Sequence, residues 1–473
     1  MRLAMTTNPW TPAVFALLAP LAFVAYVQPT GQAVRAGDPP AARDALDGLV
    51  AAIGQRAIDE DGVPGLTIAV ARDGQLLSCR GFGYADPARA TPAAPDTRWP
   101  IGSFAHPIAA VAAMRLVEAK KIGLDDDLTA LLPDFPAQAK GAKLRHLLAN
   151  TSGAPGWRAL QAKHPEVAKR ELSAKDFLAL YADVPFAFEP GTAYSLDTTG
   201  YVLLGMIVAR ASGEPLAEHL KRHVTAPIGM TATDVCPDES RPVGYAEDCK
   251  EILDDRDLAV PMPSSPYAGD QALCSTAGDL ALWMHAVCDE NAFGDATTKA
   301  LTTSAAKADG EQTGASYGMT LGKLGDSPWY AHAGGVGGFR LRAAHYDLID
   351  TTVVVLANCA SAQVDEIERE IACHLLGLPS PNQREFPLSA AEAAKCTGTY
   401  QIATTRVRVT SSGGKLQLEW PTGAPVALRH RGVLTFALAG ESDSKLVFQV
   451  ENGKAASFEL TRAGTVTTAR RMD

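Results

Sequence analysis

Hydrophobic and polar positions repeat along this chain with two different periods, and the changes of period divide it. Residues 66–71 form an apolar run, and a second strand-like run follows at 76–83 after Asp73-Gly74. An Asp-Gly pair between two such runs predicts a hairpin, because both turn positions need positive φ. From 103 to 121 the spacing turns helical, with Ile108, Val111, Ala112, Leu116 and Val117 on one side and Gly123 ending the pattern. Residues 42–58, 201–211, 277–288 and 364–376 also read as helices. Strand character returns at 317–319 and 340–345, and 351–356 is a largely β-branched run of the kind buried on both faces. Strands, a long helical middle, then strands and a helix predict an α/β (α+β) sandwich whose antiparallel sheet is completed by both ends of the domain.

After a Pro-containing linker at 379–387 the period falls to two. Alternation is clear at 406–409, 415–418, 433–438, 445–450 and 457–460, with Gly413-Gly414 and Asn452-Gly453 as turns. This predicts a small, barrel-like antiparallel β module over 388–473. The main domain is expected at 45–378, preceded by a targeting segment and linker over 1–44.

Composition adds limits. The 473 residues are 47% hydrophobic and 20% charged, with a formal net charge of -10, so no basic footprint for nucleic acid is present. Arg2 precedes an apolar stretch at 10–27 that is interrupted by Pro12 and Pro20. It reads as a secretory signal with cleavage near Ala36, or as a retained single-helix anchor. The expectation is export to the periplasm or beyond, with membrane contact through this segment alone. Of the eight cysteines, Cys236 and Cys249 flank a Pro- and Asp-rich loop and are the expected disulfide pair; the rest sit mostly in apolar runs as expected buried thiols. No cysteine spacing matches a zinc site, and neither metal nor organic cofactor is expected.

The chemistry centres on Ile101-Gly102-Ser103 at the start of the long helix. A helix N-terminus offers free N–H groups to a developing oxyanion. His106, three residues on, shares a helical face with Ser103 and is a candidate base for it. On these residues alone, a serine that only caps the helix fits as well. Pro107 lacks the N–H that would bond the Ser103 carbonyl, which predicts a distorted first turn.

Further passages carry a resemblance. They are 99–103 (WPIGS), 124–126 (LDD), 145–153 (RHLLANTSG), 188–192 (FEPGT), 200–205 (GYVLLG), 275–280 (STAGDL) and 332–335 (HAGG). In this order and spacing, across about 45–378, the chain resembles the β-lactamase-related serine hydrolases, which include class C β-lactamases, D-alanyl-D-alanine carboxypeptidases and esterase-like relatives. That resemblance implies an acyl-enzyme mechanism built on S-x-x-K, Y-x-N and a K-T-G or H-x-G strand. It assigns the nucleophile to Ser103, the lysine position to His106, and the third motif to His332 and Gly334. The oxyanion hole falls to the N–H groups of Ser103 and Gly335. Between Pro190-Gly191-Thr192 and Thr199-Gly200-Tyr201, the ungapped register puts Leu196 at the tyrosine position and Thr198 at the asparagine position. Tyr194 then falls on an aromatic position used for packing.

Two readings follow from the altered positions. In one, His106 replaces the lysine as base, His332 assists the leaving group, and the chain cleaves a small peptide, β-lactam or ester. In the other, turnover is lost and the fold binds a cell-wall peptide or a protein partner. Outside these motifs, His146, His345, His374 and His430 are expected to be structural, and Asp125, Asp126 and Asp127 to form a solvated loop. Trp283 is expected in the core, Trp329 in the core or at the cleft mouth, and Tyr267 at the cleft.

Overall fold

The computed structural model describes residues 40–472 apart from 137–140, 167–171, 197, 237–241, 246–272, 379–387 and short turns at 403–404, 413–414, 433, 440, 452 and 463–464. The N-terminal apolar segment, the linker, Cys249 and Tyr267 lie outside the described residues. Among the described residues, ten strands build the first domain: β1 Gly65–Arg72, β2 Gln75–Asp86, β3 Thr91–Pro92, β4 Trp99–Pro100, β5 Asp234–Val235, β6 Leu273–Ser275, β7 Thr320–Leu324, β8 Ser327–Val336, β9 Phe339–Tyr346 and β10 Thr351–Ala357. Seven form an antiparallel sheet in the order β3-β2-β1-β10-β9-β8-β7. The β1–β2 turn has positive φ at both Asp73 and Gly74, as its sequence demands. Pairing of β1 with β10 joins the two ends of the domain at the sheet centre.

Both faces of that centre are covered. Leu66, Ile68, Val70, Val353 and Val355 share one core with Val50, Ile53, Ile367 and Ile371, from helices α1 (Pro40–Asp59) and the later Val364–Leu375. The alternate residues Ala69, Ala71, Val354 and Leu356 face a second core, with residues of α2 (Ala105–Glu118), α3 (Thr198–Ser212) and Ala277–Cys288. A period of two on a doubly covered strand makes every side chain a core residue, which is why β10 reads as an uncharged, largely β-branched run with no alternation. One expected strand is displaced. Residues 317–319 form a bend, and β7 begins at Thr320, because Gly318 adopts φ +91° against Pro107.

A second sheet, β4-β6-β5, leads directly into the Ser103 turn. The disulfide here joins Cys236 to Cys274, correcting the expected Cys236–Cys249 pair. Cys274 lies on β6 between its two partner strands, so the bond clamps this sheet from the inside. Cys359 is also disulfide-bonded, whereas Cys79, Cys288 and Cys396 are free thiols.

The C-terminal module is a closed eight-stranded barrel. Its strands are β11 Gly398–Ile402, β12 Thr405–Ser412, β13 Lys415–Glu419, β14 Val426–Gly432, β15 Thr435–Leu438, β16 Glu441–Glu451, β17 Lys454–Arg462 and β18 Thr465–Arg471. Tyr400, Phe436, Phe448 and Phe458 pack edge to face or tilted in its core. Three of these strands (β11, β14 and β18) go beyond the five alternating runs in the sequence. The Arg429 guanidinium donates to Glu366 at 2.6 Å and ties the barrel to helix Val364–Leu375. Among the described residues, no helix is long and apolar enough to cross a membrane.

Candidate active site

Ser103 sits in a tight 3-10 turn, Gly102–Phe104, that precedes α2. With proline at 107 the first turn lacks an α-helical donor for the Ser103 carbonyl, so the tighter turn takes its place. Ser103 itself is half-buried, while Phe104, Ala105 and His106 are buried.

The turn rests on the end of β8. A Cβ built on Gly102, where φ is +50°, would lie 2.9 Å from the Gly335 carbonyl oxygen and 3.2 Å from its nitrogen. One built on Gly334 would lie 2.3 Å from the Ile101 carbonyl oxygen. Only glycine allows this approach of two backbones. β7 pairs with β8 only as far as Ala331, so on that edge the stretch from His332 onward meets the serine turn, while its other edge stays paired with β9. The structure therefore brings Ser103, His106, His332, Gly334 and Gly335 to one place.

The two imidazoles are enclosed. His332 donates from Nδ1 to the Gly318 carbonyl at 2.6 Å, which leaves Nε2 as the bare nitrogen of the neutral ring. Burial pulls His332 down to about 4, against the carbonyls of Gly318 and Ser103, which favour a ring proton. His106 is 2% exposed, and neither of its ring nitrogens has a hydrogen-bond partner among the described residues. Burial, then the neighbouring His332, holds it well below the ordinary histidine value. It lies flat on Tyr201 and edge-on to His332, with centroids 5.8 Å apart.

Tyr201 is the residue the sequence did not single out. It lies in the first turn of α3, and its hydroxyl donates to the Leu148 carbonyl at 3.0 Å and meets the Asn150 side chain. Burial, with the nearby phenols of Tyr194 and Tyr317, pushes its pKa up. Tyr194 thus lies within electrostatic reach of the ring that covers His106. Leu196 is 68% exposed. The Thr198 side chain lies outside the described residues.

The remaining candidates have structural partners. Asp125 pairs with Lys143 and Arg145, Asp126 accepts from the Gly123 N–H, and Asp127 accepts from the Gly141 N–H. His146 accepts from the Lys143 N–H, and His345 bonds Thr352. Trp283 is core, packed edge-on to Phe104. Trp329 is core as well, packed with Tyr346 and Ala372 and flanked by the guanidiniums of Arg342 and Arg369.

A serine turn docked on a glycine-bearing sheet edge, within helices packed on an antiparallel sheet, defines the serine β-lactamase and penicillin-binding-protein class of hydrolase folds. The Beta-lactamase family model matches residues 43–376, and the chain belongs to that family. The chain is 25% identical to penicillin-binding protein 4* of Bacillus subtilis over 75% of its own length and 83% of that protein's. It is also 25% identical to a D-aminopeptidase of Gluconobacter oxydans, over 75% of this chain and 67% of that one. Among solved structures, the octameric penicillin-binding protein homologue from Pyrococcus abyssi superposes with a TM-score of 0.62 at 24% identity, over 89% of this chain and 99% of that one. The D-amino acid amidase from Ochrobactrum anthropi gives a TM-score of 0.57 at 24% identity, over 66% and 91%.

Proposed function

We propose that this family member binds a small peptide, amide or ester in the cleft at Ser103 and turns it over very slowly or not at all. One observation carries the reading: His106, at the position of the family's lysine, is buried without a hydrogen-bond partner. A base for Ser103 must become charged as it takes the proton. At His106 that charge would form out of water, against Tyr201 and beside a second imidazole, with no counter-charge in contact among the described residues. A base held far below neutral pH also has little driving force for proton transfer.

A second reading, slow acylation of Ser103 with His106 as base, is favoured by the close approach of Gly102 to Gly335. That approach would keep the N–H groups of Ser103 and Gly335 available to an oxyanion.

Incubation with a fluorophosphonate and with a penicillin, read by intact-protein mass spectrometry between pH 5 and 9, separates the two. The binding reading expects no adduct from folded protein, together with a thermal shift on adding D-alanyl-D-alanine peptides or their amides. An adduct that vanishes in Ser103→Ala supports the slow hydrolase instead, and its loss in His106→Ala would identify the base.

We also propose that the protein works outside the reducing cytosol. Its Cys236–Cys274 disulfide supports this, since structural disulfides persist in oxidising compartments.

A further inference from the structure

A second group of chemically capable side chains lies away from the cleft. α3 ends at Gly213, which takes φ +76°, and Glu214 follows in the turn. Next come helix α4, Leu216–Leu220, and a π-turn, Lys221–Thr225. His219 and His223 are four residues apart on this continuous helical stretch, which puts both rings on one face. Their centroids lie 4.6 Å apart. Single π-turns inside helices concentrate at functional sites.

Glu214 completes the group. Its Oε2 lies 3.5 Å from Nδ1 of His219 and 3.5 Å from Nε2 of His223. Its other oxygen accepts a 2.9 Å hydrogen bond from Arg222. Oε2 itself is buried, and apart from these contacts within the group neither it nor the nitrogens of His219, a residue only 5% exposed, has a hydrogen-bond partner among the described residues. The three ligand atoms all lie within 4.8 Å of one another. Buried polar atoms with poorly met hydrogen-bonding capacity are costly, and here one carboxylate oxygen and one nitrogen from each imidazole come together.

We propose that Glu214, His219 and His223 form a site for one zinc-class divalent cation, separate from the Ser103 cleft. Two imidazole nitrogens and one carboxylate oxygen are a zinc donor set that leaves a fourth position for water. Binding requires neutral imidazole, the form in which each ring offers one lone pair to an ion. Arg222 on Oε1 would act as an outer partner, fixing the carboxylate so that Oε2 faces the ion. Arg222 and the nearby Lys121 are cations that oppose the ion's charge. Lys121 follows the C-terminal end of α2, while Ser103 precedes its start. The 14 residues of α2 therefore separate the two sites by about 20 Å, and the ion would brace the α3–α4 corner without touching the cleft.

The test is calorimetric titration of zinc chloride into the metal-stripped full chain, with thermal unfolding alongside. The expected result is one equivalent bound and a raised Tm. His223 is partly exposed, so His223→Ala should fold, and it should weaken binding by more than about 100-fold, beyond the range of an outer-shell partner. Glu214→Gln tests the oxygen ligand in the same way. Absence of heat and of a thermal shift in the unsubstituted protein would overturn the site, and so would undiminished zinc binding by folded His223→Ala.

Discussion

The imidazole of His106 lies flat on the phenol ring of Tyr201, with centroids 4.3 Å apart and planes 10° from parallel. That stack lies at the position the sequence resemblance assigns to the family's lysine, and it joins α2 to α3. Because the Tyr201 hydroxyl is itself bonded to Leu148, Tyr201→Phe should keep the stack but leave a buried carbonyl without its donor. The expected loss is about 1–3 kcal/mol in urea unfolding. An unchanged midpoint would show that water or Asn150 replaces the donor.

His106→Lys restores the family's residue without the surroundings that would use it. An ammonium placed against Tyr201 and His332 has no carboxylate beside it among the described residues. The variant should unfold at lower denaturant than the parent and should still fail to hydrolyse a chromogenic ester or β-lactam. Catalytic groups of this kind act as a unit, so one restored member recovers little. A clear gain of turnover would mean that the Tyr and Asn roles are filled by other residues, Tyr194 first among them.

Gly334→Ala tests the docking of β8 on the serine turn. The new Cβ would meet backbone on both sides, 2.3 Å from the Ile101 oxygen and 3.1 Å from the Phe104 nitrogen. Neither can rotate away as a side chain could. Loss of stability of the order of 2–3 kcal/mol is expected, with loss of any ligand-induced thermal shift in the cleft. A stable variant that still binds would place the ligand elsewhere.

Breaking the Cys236–Cys274 bond should lower stability by about 4 kcal/mol, the chain-entropy value for a loop of this length; the sequence separation is 38. Cys236→Ser, compared with the parent by thermal melting under oxidising conditions, gives the number. Because β4 runs from this sheet into the Ser103 turn, ligand binding should weaken as well. An unchanged Tm would mean that the β4-β6-β5 sheet holds without its clamp.

Acid should unfold this protein early. Burial holds His332 and His345 at about 4 and His106 well below its ordinary value, while unfolded histidine titrates near its ordinary 6.5. Between those values the unfolded chain binds more protons than the folded one, so stability rises with pH and is lost as pH falls. Each such histidine contributes a slope of about 1.4 kcal/mol per pH unit within its window. The Tm should therefore start to fall below pH 6.5, before the carboxylates titrate. A flat Tm from pH 7 to pH 4.5 would show that these rings are solvated.

Local pattern determined much of this molecule. The hairpin at Asp73-Gly74, the doubly buried β10, the helical run behind Ser103 and the alternation of the barrel strands were all legible. Each depends on neighbours two, three or four positions away. The same holds for the family, since its passages keep their order along the chain. Tertiary structure decided the rest. It chose Cys274 over Cys249 for Cys236, laid Tyr201 on His106, and turned Gly318 against Pro107 so that β7 began late. It also left the side chain of Leu196 largely in solvent. These are meetings between distant elements, governed by which side chains fit together when a sheet, a helix and a turn close on one another, and no periodicity along a single strand or helix records that fit.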